Sequence, residues 1–167
     1  MSVARVLTEA LRSGLRAASR TSRRERTTTR EAGSYPGDFT GTATIEYTPD
    51  PDGDADPGEV VWGWVPFEED HTRGKDRPVL VVGRDGRWLL ALMLKSRDHD
   101  RPGSPRSGER WLDIGAGQWD RKGRPSEVRV DRVLRLDPST IRREGATLDP
   151  ERFDEVATVL RDAHGWA

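Results

Sequence analysis

The chain has 167 residues, of which 33% are hydrophobic and 34% are charged, and its formal net charge is −1. This length predicts one domain with extensions, and six tryptophans are enough for a modest core. The absence of cysteine excludes disulfides and thiolate metal sites and agrees with a cytoplasmic location. No apolar run reaches the roughly 18 residues that a membrane span needs, so no membrane contact is expected.

Residues 1–33 are predicted to form a basic arm. Residues 1–30 contain eight arginines and two glutamates, a balance of +6, and the other residues therefore carry −7. Apolar residues at helical spacing predict an amphipathic helix as far as about Arg20, and the Ser-, Thr- and Arg-rich stretch that ends at Arg30 predicts disorder. The arm could bind RNA or an acidic partner, but we favour a loosely attached tail.

Residues 34–57 are predicted to lead into the folded domain. A Pro36–Gly37 turn and the stretch from Thr42 to Tyr47 predict one short strand. From Pro49 to Pro57, four aspartates alternate with prolines and small residues, which predicts a solvated linker.

The longest apolar runs predict three consecutive strands. Glu59 to Val65 is β-branched and aromatic, and Pro78 to Gly83 is apolar on both faces. A charged loop from Phe67 to Asp76 separates these two strands. Arg84 to Arg87 contains Asp-Gly and predicts a tight hairpin turn, after which Trp88 to Leu94 returns as the third strand.

The second half of the chain predicts shorter strands. Arg97 to Arg110 is a polar loop, and we interpret its Asp98-His99-Asp100 triplet as solvated rather than metal-binding. Short strands are predicted at Trp111 to Ile114 and at Thr140 to Glu144. A longer strand is predicted from Ser126 to Leu136, where apolar and polar residues alternate.

A C-terminal helix is the strongest local prediction. Asp149 is the expected N-cap, Pro150 suits the first helical position, and Gly165 ends the helix. Its buried stripe is predicted to contain Phe153, Val156, Ala157 and Leu160. Several short strands around one hairpin, followed by a helix, predict a mainly β protein with helices (α+β) built on a small, partly open, SH3-like β-barrel.

The order and spacing of several short motifs resemble the PemK/MazF family of toxin endoribonucleases. The resemblance extends from Gly58 to Leu160 and implies a domain at residues 58–165 with the MazF/CcdB-like barrel. The motifs that carry it are Gly58–Trp62, Arg77–Val81, Lys95–Ser96, Glu127–Asp131 and Arg135–Asp137.

The resemblance implies cleavage of single-stranded RNA at a short sequence, without a metal or another cofactor. Such chemistry needs a base for the ribose 2′-hydroxyl, a cation for the phosphate and an acid for the leaving oxygen. The positions that match the family's catalytic groups are His71, Arg77, Arg129 and Asp131. Each also has an ordinary interpretation. His71 could be a solvated loop residue, Arg77 could simply pair with Asp76 or Glu69, and Arg129 with Asp131 could be a simple ion pair.

The residues expected to bind substrate are Arg73, Lys95 and Ser96. The family usually has threonine followed by serine at the end of the third strand, and this chain has Lys95 followed by Ser96. A lysine at that position cannot remain in the core, so we expect it to reach a phosphate at the mouth of the groove.

The resemblance also implies the partners. They are single-stranded RNA, an antitoxin protein, a second copy of the chain and, together with the antitoxin, operator DNA. Two alternatives remain open at this point. The first is a catalytically weakened protein of the same fold that binds nucleic acid and regulates, and the second is a CcdB-like poison of a protein target.

Overall fold

The computed structural model describes residues 28–29, 35–97 and 106–167. The rest of the predicted arm and the Asp98-His99-Asp100 triplet lie outside the described residues. Thr28–Thr29 pair with the first two residues of a later strand, Arg73 and Gly74. The expectation of disorder as far as Arg30 is therefore wrong for these two residues, whose backbone completes a ladder at the exposed edge of that strand.

The described residues form eight strands, one 3₁₀-helix and one α-helix. The strands are β1 (Thr28–Thr29), β2 (Glu59–Pro66), β3 (Arg73–Asp85), β4 (Trp88–Ser96), β5 (Trp111–Gly115), β6 (Ser126–Arg129), β7 (Leu134–Leu136) and β8 (Arg143–Thr147). The 3₁₀-helix is Pro138–Thr140, and the α-helix, α1, is Pro150–His164.

All pairings in the sheet are antiparallel, and the strand order is β5-β6-β4-β3-β2-β8. In addition, β1 pairs with β3 and β7 pairs with β4. Register shifts interrupt the ladders between β2 and β8, between β3 and β4, and between β5 and β6. Such bulges increase the twist, and the sheet curls into a half-barrel. The predicted mainly β fold with a C-terminal helix is confirmed.

Strand β3 begins five residues earlier than predicted, so the loop before it contains only residues 67–72. The β2–β3 ladder continues to the pair Pro66 and Gly74. A β-carbon at Gly74 would collide with the carbonyl oxygen of Val65, so glycine permits this close pairing. The predicted hairpin turn is confirmed, because Asp85 pairs with Trp88 and Gly86 has φ +57°.

The single strand predicted from Ser126 to Leu136 is wrong, because β6 and β7 are separate. The two short strands pair with different parts of β4: β6 with Leu94–Ser96 and β7 with Leu89–Ala91. The chain must therefore break its extended course at residues 130–133 to move along β4. The strand predicted from Thr140 to Glu144 lies later in the chain, as β8, because residues 138–140 form the 3₁₀-helix.

Helix α1 matches its prediction at both ends. The Asp149 side chain accepts a hydrogen bond from the amide of Glu151, Pro150 occupies the first turn, and Gly165 adopts the left-handed conformation with φ +66°. Its buried residues are the four predicted ones. Among the residues described, no helix combines the length and apolar character required to cross a bilayer.

Residues 35–47, here called the strap, do not contain the predicted lead-in strand. They make one β-bridge, Phe39 with Val133, and otherwise cross the core as irregular chain. The strap is held by the C-terminus, where Ile45 donates to the carbonyl of Ala167 and the Trp166 indole donates to the carbonyl of Gly41. The following acidic segment is exposed at residues 50–54, as expected of a solvated linker, but the prediction is wrong for its end, because Ala55 packs into the core and Pro57 is buried.

The sheet buries apolar side chains on both faces. One cluster combines one face of β2, β3 and β4 with α1, and the strap adds Ile45 to it. The second cluster lies on the opposite face and includes Val61, Val79, Val81 and Leu89. Burial on both faces explains the near-continuous apolar runs of these strands.

Candidate active site

Arg129 and Asp131 form a direct ion pair at the end of β6. The Arg129 Nε atom lies 3.1 Å from both carboxylate oxygens of Asp131, and Nη2 lies 2.8 Å from Oδ2. Asp131 also accepts a 2.7 Å hydrogen bond from the amide of Arg110. The sequence predicted this proximity from regular strand spacing. Strand β6 in fact ends at Arg129, and the ion pair joins this last strand residue to Asp131 in the segment that follows.

Two further carboxylates reach the other side of the Arg129 guanidinium. Glu68 Oε2 lies 2.8 Å from Nη1, and Glu109 Oε1 lies 3.6 Å from the same nitrogen. The Arg129 side chain is only 6% exposed, whereas that of Glu68 is 54% exposed. Sequence analysis missed both glutamates, because Glu68 lies 61 residues from Arg129 in the chain and no local pattern links them.

The charges in this cluster stabilise one another. Burial opposes ionisation of Arg129, but hydrogen bonds to Asp131 and Glu68 raise its pKa above the ordinary value. Burial likewise tends to raise the pKa of Asp131, yet hydrogen bonds from Arg129 and the Arg110 amide lower it overall. The pKa of Glu109 is also lowered, because hydrogen bonds from the Trp111 indole and the Arg106 amide outweigh its burial. All three groups therefore stay charged at neutral pH.

Arg129 lines a cleft of about 330 Å³, here called the arginine cleft, together with Arg77. Its other charged lining residues are Glu68, Glu69, Lys75, Arg106, Glu109 and Arg132. Five cations thus face three carboxylates. The Arg77 guanidinium is half-buried and forms no hydrogen bond or ion pair with any residue that the structure describes. A partly desolvated cation of this kind is suited to bind an anion.

Arg77 also lines a second cleft of about 280 Å³, which contains Lys95 and Ser96 and is here called the lysine cleft. The structure thus places both residues near Arg77, as the sequence suggested. The Lys95 ammonium contacts two other side chains. It lies 3.3 Å from Oε2 of Glu127 and 3.8 Å from the ring centroid of Trp111. The ion pair and the cation–π contact offset the cost of removing a lysine ammonium from water at the end of β4.

His71 and Arg73 do not line either cleft. His71 is exposed on the 67–72 loop, and its ring contacts the edge of Tyr35 at a centroid distance of 5.1 Å. Arg73 lies over the ring of Phe67 at 5.7 Å. The structure therefore brings Arg77, Arg129 and Asp131 together, and it leaves His71 at the far end of the loop whose first residues line the arginine cleft.

Arg132, which also lines the arginine cleft, joins the strap to the end of β2. Its guanidinium contacts both carboxylate oxygens of Asp38, at 2.8 and 3.1 Å, and donates to the carbonyl of Pro66 at 3.0 Å. Tyr35 donates a 2.6 Å hydrogen bond to the same carboxylate. Sequence analysis missed these residues, since they meet only through a contact between positions 94 residues apart.

Within the described part of the chain, no group of three or more histidine, aspartate or glutamate side chains is arranged to hold a metal ion. In the arginine cleft, Arg129 and Arg132 are neutralised by carboxylates, whereas Arg77 has no such partner among the described residues. The fold and these clefts define a half-barrel protein whose groove is suited to an anionic ligand.

Comparison with known families gives the class a name. The profile described as "PemK-like, MazF-like toxin of type II toxin-antitoxin system" matches residues 56–164. The chain therefore belongs to this family of toxins, as its motifs predicted. A comparison with curated proteins found no match.

Two solved structures are similar to the chain. An endoribonuclease from a mycobacterial species, in complex with its cognate antitoxin, is 16% identical with a TM-score of 0.47. That similarity covers 66% of this chain and 95% of the other. A chain of the MazE–MazF structure from Deinococcus radiodurans is 20% identical with a TM-score of 0.46, and the similarity covers 68% of this chain and 98% of that chain.

Proposed function

We propose that this toxin is an endoribonuclease that cleaves single-stranded RNA at a short sequence without a metal ion. The observation that carries the proposal is the arginine cleft, where Arg77, which has no partner among the described residues, lies beside the Arg129–Asp131 pair in a chain of the PemK-like, MazF-like family. A phosphodiester is an anion that matches a planar guanidinium, and RNA supplies its own nucleophile.

The chemistry would proceed within the RNA. The ribose 2′-oxygen attacks the adjacent phosphorus and loses its proton to a base, the bond to the 5′-oxygen breaks, and that oxygen receives a proton. The products are a 2′,3′-cyclic phosphate and a 5′-hydroxyl. Arg77 would neutralise charge on the phosphate, and His71, on the loop beside the cleft, would act as the proton-transfer group.

Arg129 and Asp131 would act as one unit. Asp131 keeps the guanidinium oriented and ionised, and the Nη1 edge of Arg129, which contacts Glu68 in this structure, would contact a phosphate oxygen. Lys95, Ser96 and Arg73 would bind flanking parts of the RNA, Lys95 and Ser96 from the lysine cleft. We further propose a cytoplasmic homodimer that an antitoxin protein silences and that contacts operator DNA only together with this antitoxin.

The test is cleavage of a single-stranded RNA library by the purified protein in the presence of EDTA. We expect cleavage to continue undiminished and the 3′ ends to carry a cyclic phosphate. Cleavage that stops with the chelator and returns with magnesium would contradict the proposed mechanism. Double-stranded RNA of the same sequence is the control, and it should remain intact.

A second candidate function is binding of nucleic acid with weakened catalysis. It is favoured by Lys95, which occupies the position of the family's usual threonine and is engaged by Glu127 and Trp111. Turnover distinguishes the two functions: a regulator would bind the RNA library tightly and leave it uncut.

A further inference from the structure

We infer that the Glu68 carboxylate occupies the position on Arg129 that a phosphate group of the RNA would take. Glu68 is displaced when RNA binds, and it therefore limits the toxin's affinity for RNA. The inference rests on the proposed function. It concerns a side chain that no motif of the sequence identifies, and it assigns the outer edge of Arg129 as the subsite for a phosphodiester.

The first argument is the geometry of the guanidinium. Asp131 takes the edge formed by Nε and Nη2, at 2.8 to 3.1 Å. The remaining nitrogen, Nη1, is held by Glu68 at 2.8 Å and lies 3.6 Å from Glu109, so Glu68 is its nearer carboxylate. A carboxylate and a phosphodiester both present two oxygens to a guanidinium, so the two compete for the same nitrogen.

The second argument is that Glu68 is the carboxylate that can leave. Asp131 and Glu109 each accept further hydrogen bonds, from the Arg110 amide and from the Trp111 indole respectively. Glu68 has Arg129 as its single polar partner among the described residues, and its side chain is 54% exposed. Rotation of this side chain into solvent breaks one ion pair and needs no change in the sheet.

The third argument is the charge left behind. When Glu68 swings out, Arg77 and the Nη1 edge of Arg129 both face the same cleft. An anion that enters this cleft gains two guanidinium groups, and one of them, that of Arg77, has no other partner in the part of the chain that the structure describes. The loop itself need not open, because the amide of Phe67 donates to the carbonyl of Arg73 and closes its base.

The adjacent residue provides a matched control. Glu69 carries the same charge, is exposed and lines the same cleft, but it has no hydrogen bond or ion pair with any residue described. Glu68→Gln and Glu69→Gln therefore change the net charge equally, and only the first removes the competitor of the phosphate. Any difference in RNA affinity between the two variants therefore measures the contact of Glu68 with Arg129 rather than the long-range effect of one negative charge.

The experiment measures binding of a fully 2′-fluoro-substituted single-stranded oligonucleotide, which keeps the phosphates and lacks the attacking hydroxyl. An exposed ion pair of this kind is worth up to about fivefold in an equilibrium constant. We expect Glu68→Gln to lower Kd by about three- to fivefold and Glu69→Gln by less than about twofold. Both variants should retain the melting temperature of the wild-type protein to within a few degrees.

Equal effects of the two substitutions, or weaker binding by Glu68→Gln, would overturn the inference. The result is separable from the proposed function, because binding is measured without cleavage. If the wild-type protein cuts RNA but the two variants bind alike, the inference alone fails. If the variants bind in the expected order and no protein cuts natural RNA, the endoribonuclease proposal fails and the assignment of the phosphate subsite stands.

Discussion

Arg77 is the residue whose surroundings most directly suggest an anionic ligand. It pairs in the ladder with Gly63, a residue without a side chain, and it lines both clefts. Neighbouring cations differ from it, since Arg129 and Arg132 are buried and neutralised by carboxylates. The position of Arg77 was predictable from the sequence, because it precedes a proline at the start of an apolar run. Its lack of a partner was not predictable, because that depends on where every nearby carboxylate lies.

We expect Arg77→Ala to reduce RNA cleavage by about 100- to 1,000-fold, the effect of removing one preorganised group that stabilises developing charge. The same change should alter the free energy of unfolding by less than about 1 kcal/mol, because no hydrogen bond is lost. Arg87→Ala is the control: Arg87 is exposed over Trp88, outside both clefts, and its loss should leave cleavage within about twofold. Cleavage rates and thermal melts of both variants check this prediction. Equal cleavage rates for Arg77→Ala and Arg87→Ala would contradict it.

At the scale of elements, sequence patterns predicted those parts of the fold that local physics determines. Capping residues fixed both ends of α1, and the Asp-Gly dipeptide fixed the β3–β4 turn. The errors arose where pairing with distant strands, rather than the local sequence pattern, determines the strand boundaries. The division of β6 from β7 follows from their two pairing sites on β4, and the early start of β3 follows from its ladder with β2. Glu68 and Glu109, two of the three carboxylates around Arg129, were missed for the same reason.

The strap is the element whose importance the sequence concealed. Its Asp38 binds the buried Arg132, and Arg132 in turn donates to Pro66, where the 67–72 loop begins. The strap lies before the segment that matches the family profile. We therefore expect the strap to stabilise both the fold and the loop that carries Glu68 and His71.

Asp38→Asn should destabilise the protein by about 1–3 kcal/mol at neutral pH, since it removes the counter-charge of a buried guanidinium. Burial tends to raise the pKa of Asp38, but hydrogen bonds from Arg132 and Tyr35 lower it overall. A lowered pKa stabilises the folded state above the unfolded pKa, and this stabilisation is lost as the pH falls. The difference between the wild-type protein and Asp38→Asn should therefore shrink below about pH 4.

Urea unfolding at several pH values measures that difference. Asp54→Asn serves as the control, because Asp54 is an exposed carboxylate in the acidic segment that follows the strap, and its substitution should change stability little at any pH. A difference between wild type and Asp38→Asn that stays constant from pH 7 to pH 3 would show that the Asp38 carboxylate does not hold Arg132 through its charge.

At the scale of the whole molecule, the charge distribution makes RNA binding a local property. Residues 1–30 carry +6 and the rest of the chain −7, so residues 31–167 taken together repel a polyanion. In the arginine cleft five cations face three carboxylates, one of which is Glu68. Affinity in this protein should therefore depend on a few named contacts more than on the overall field.

The size of the clefts leads to the last prediction. Each has a volume near 300 Å³, at the lower end of the range of roughly 300–1,000 Å³ that takes one small molecule. Recognition of a sequence several nucleotides long needs more surface than one chain offers there. Closed two-fold pairing is the commonest way for a protein to extend its binding surface with a second copy of itself.

We therefore expect a homodimer in which two copies together form the RNA groove. Sedimentation at micromolar concentration should give twice the mass of the chain, and the RNA-bound species should contain two chains. A protein that sediments as a monomer yet cuts RNA at a defined sequence of several nucleotides would contradict this expectation, because the single cleft would then suffice.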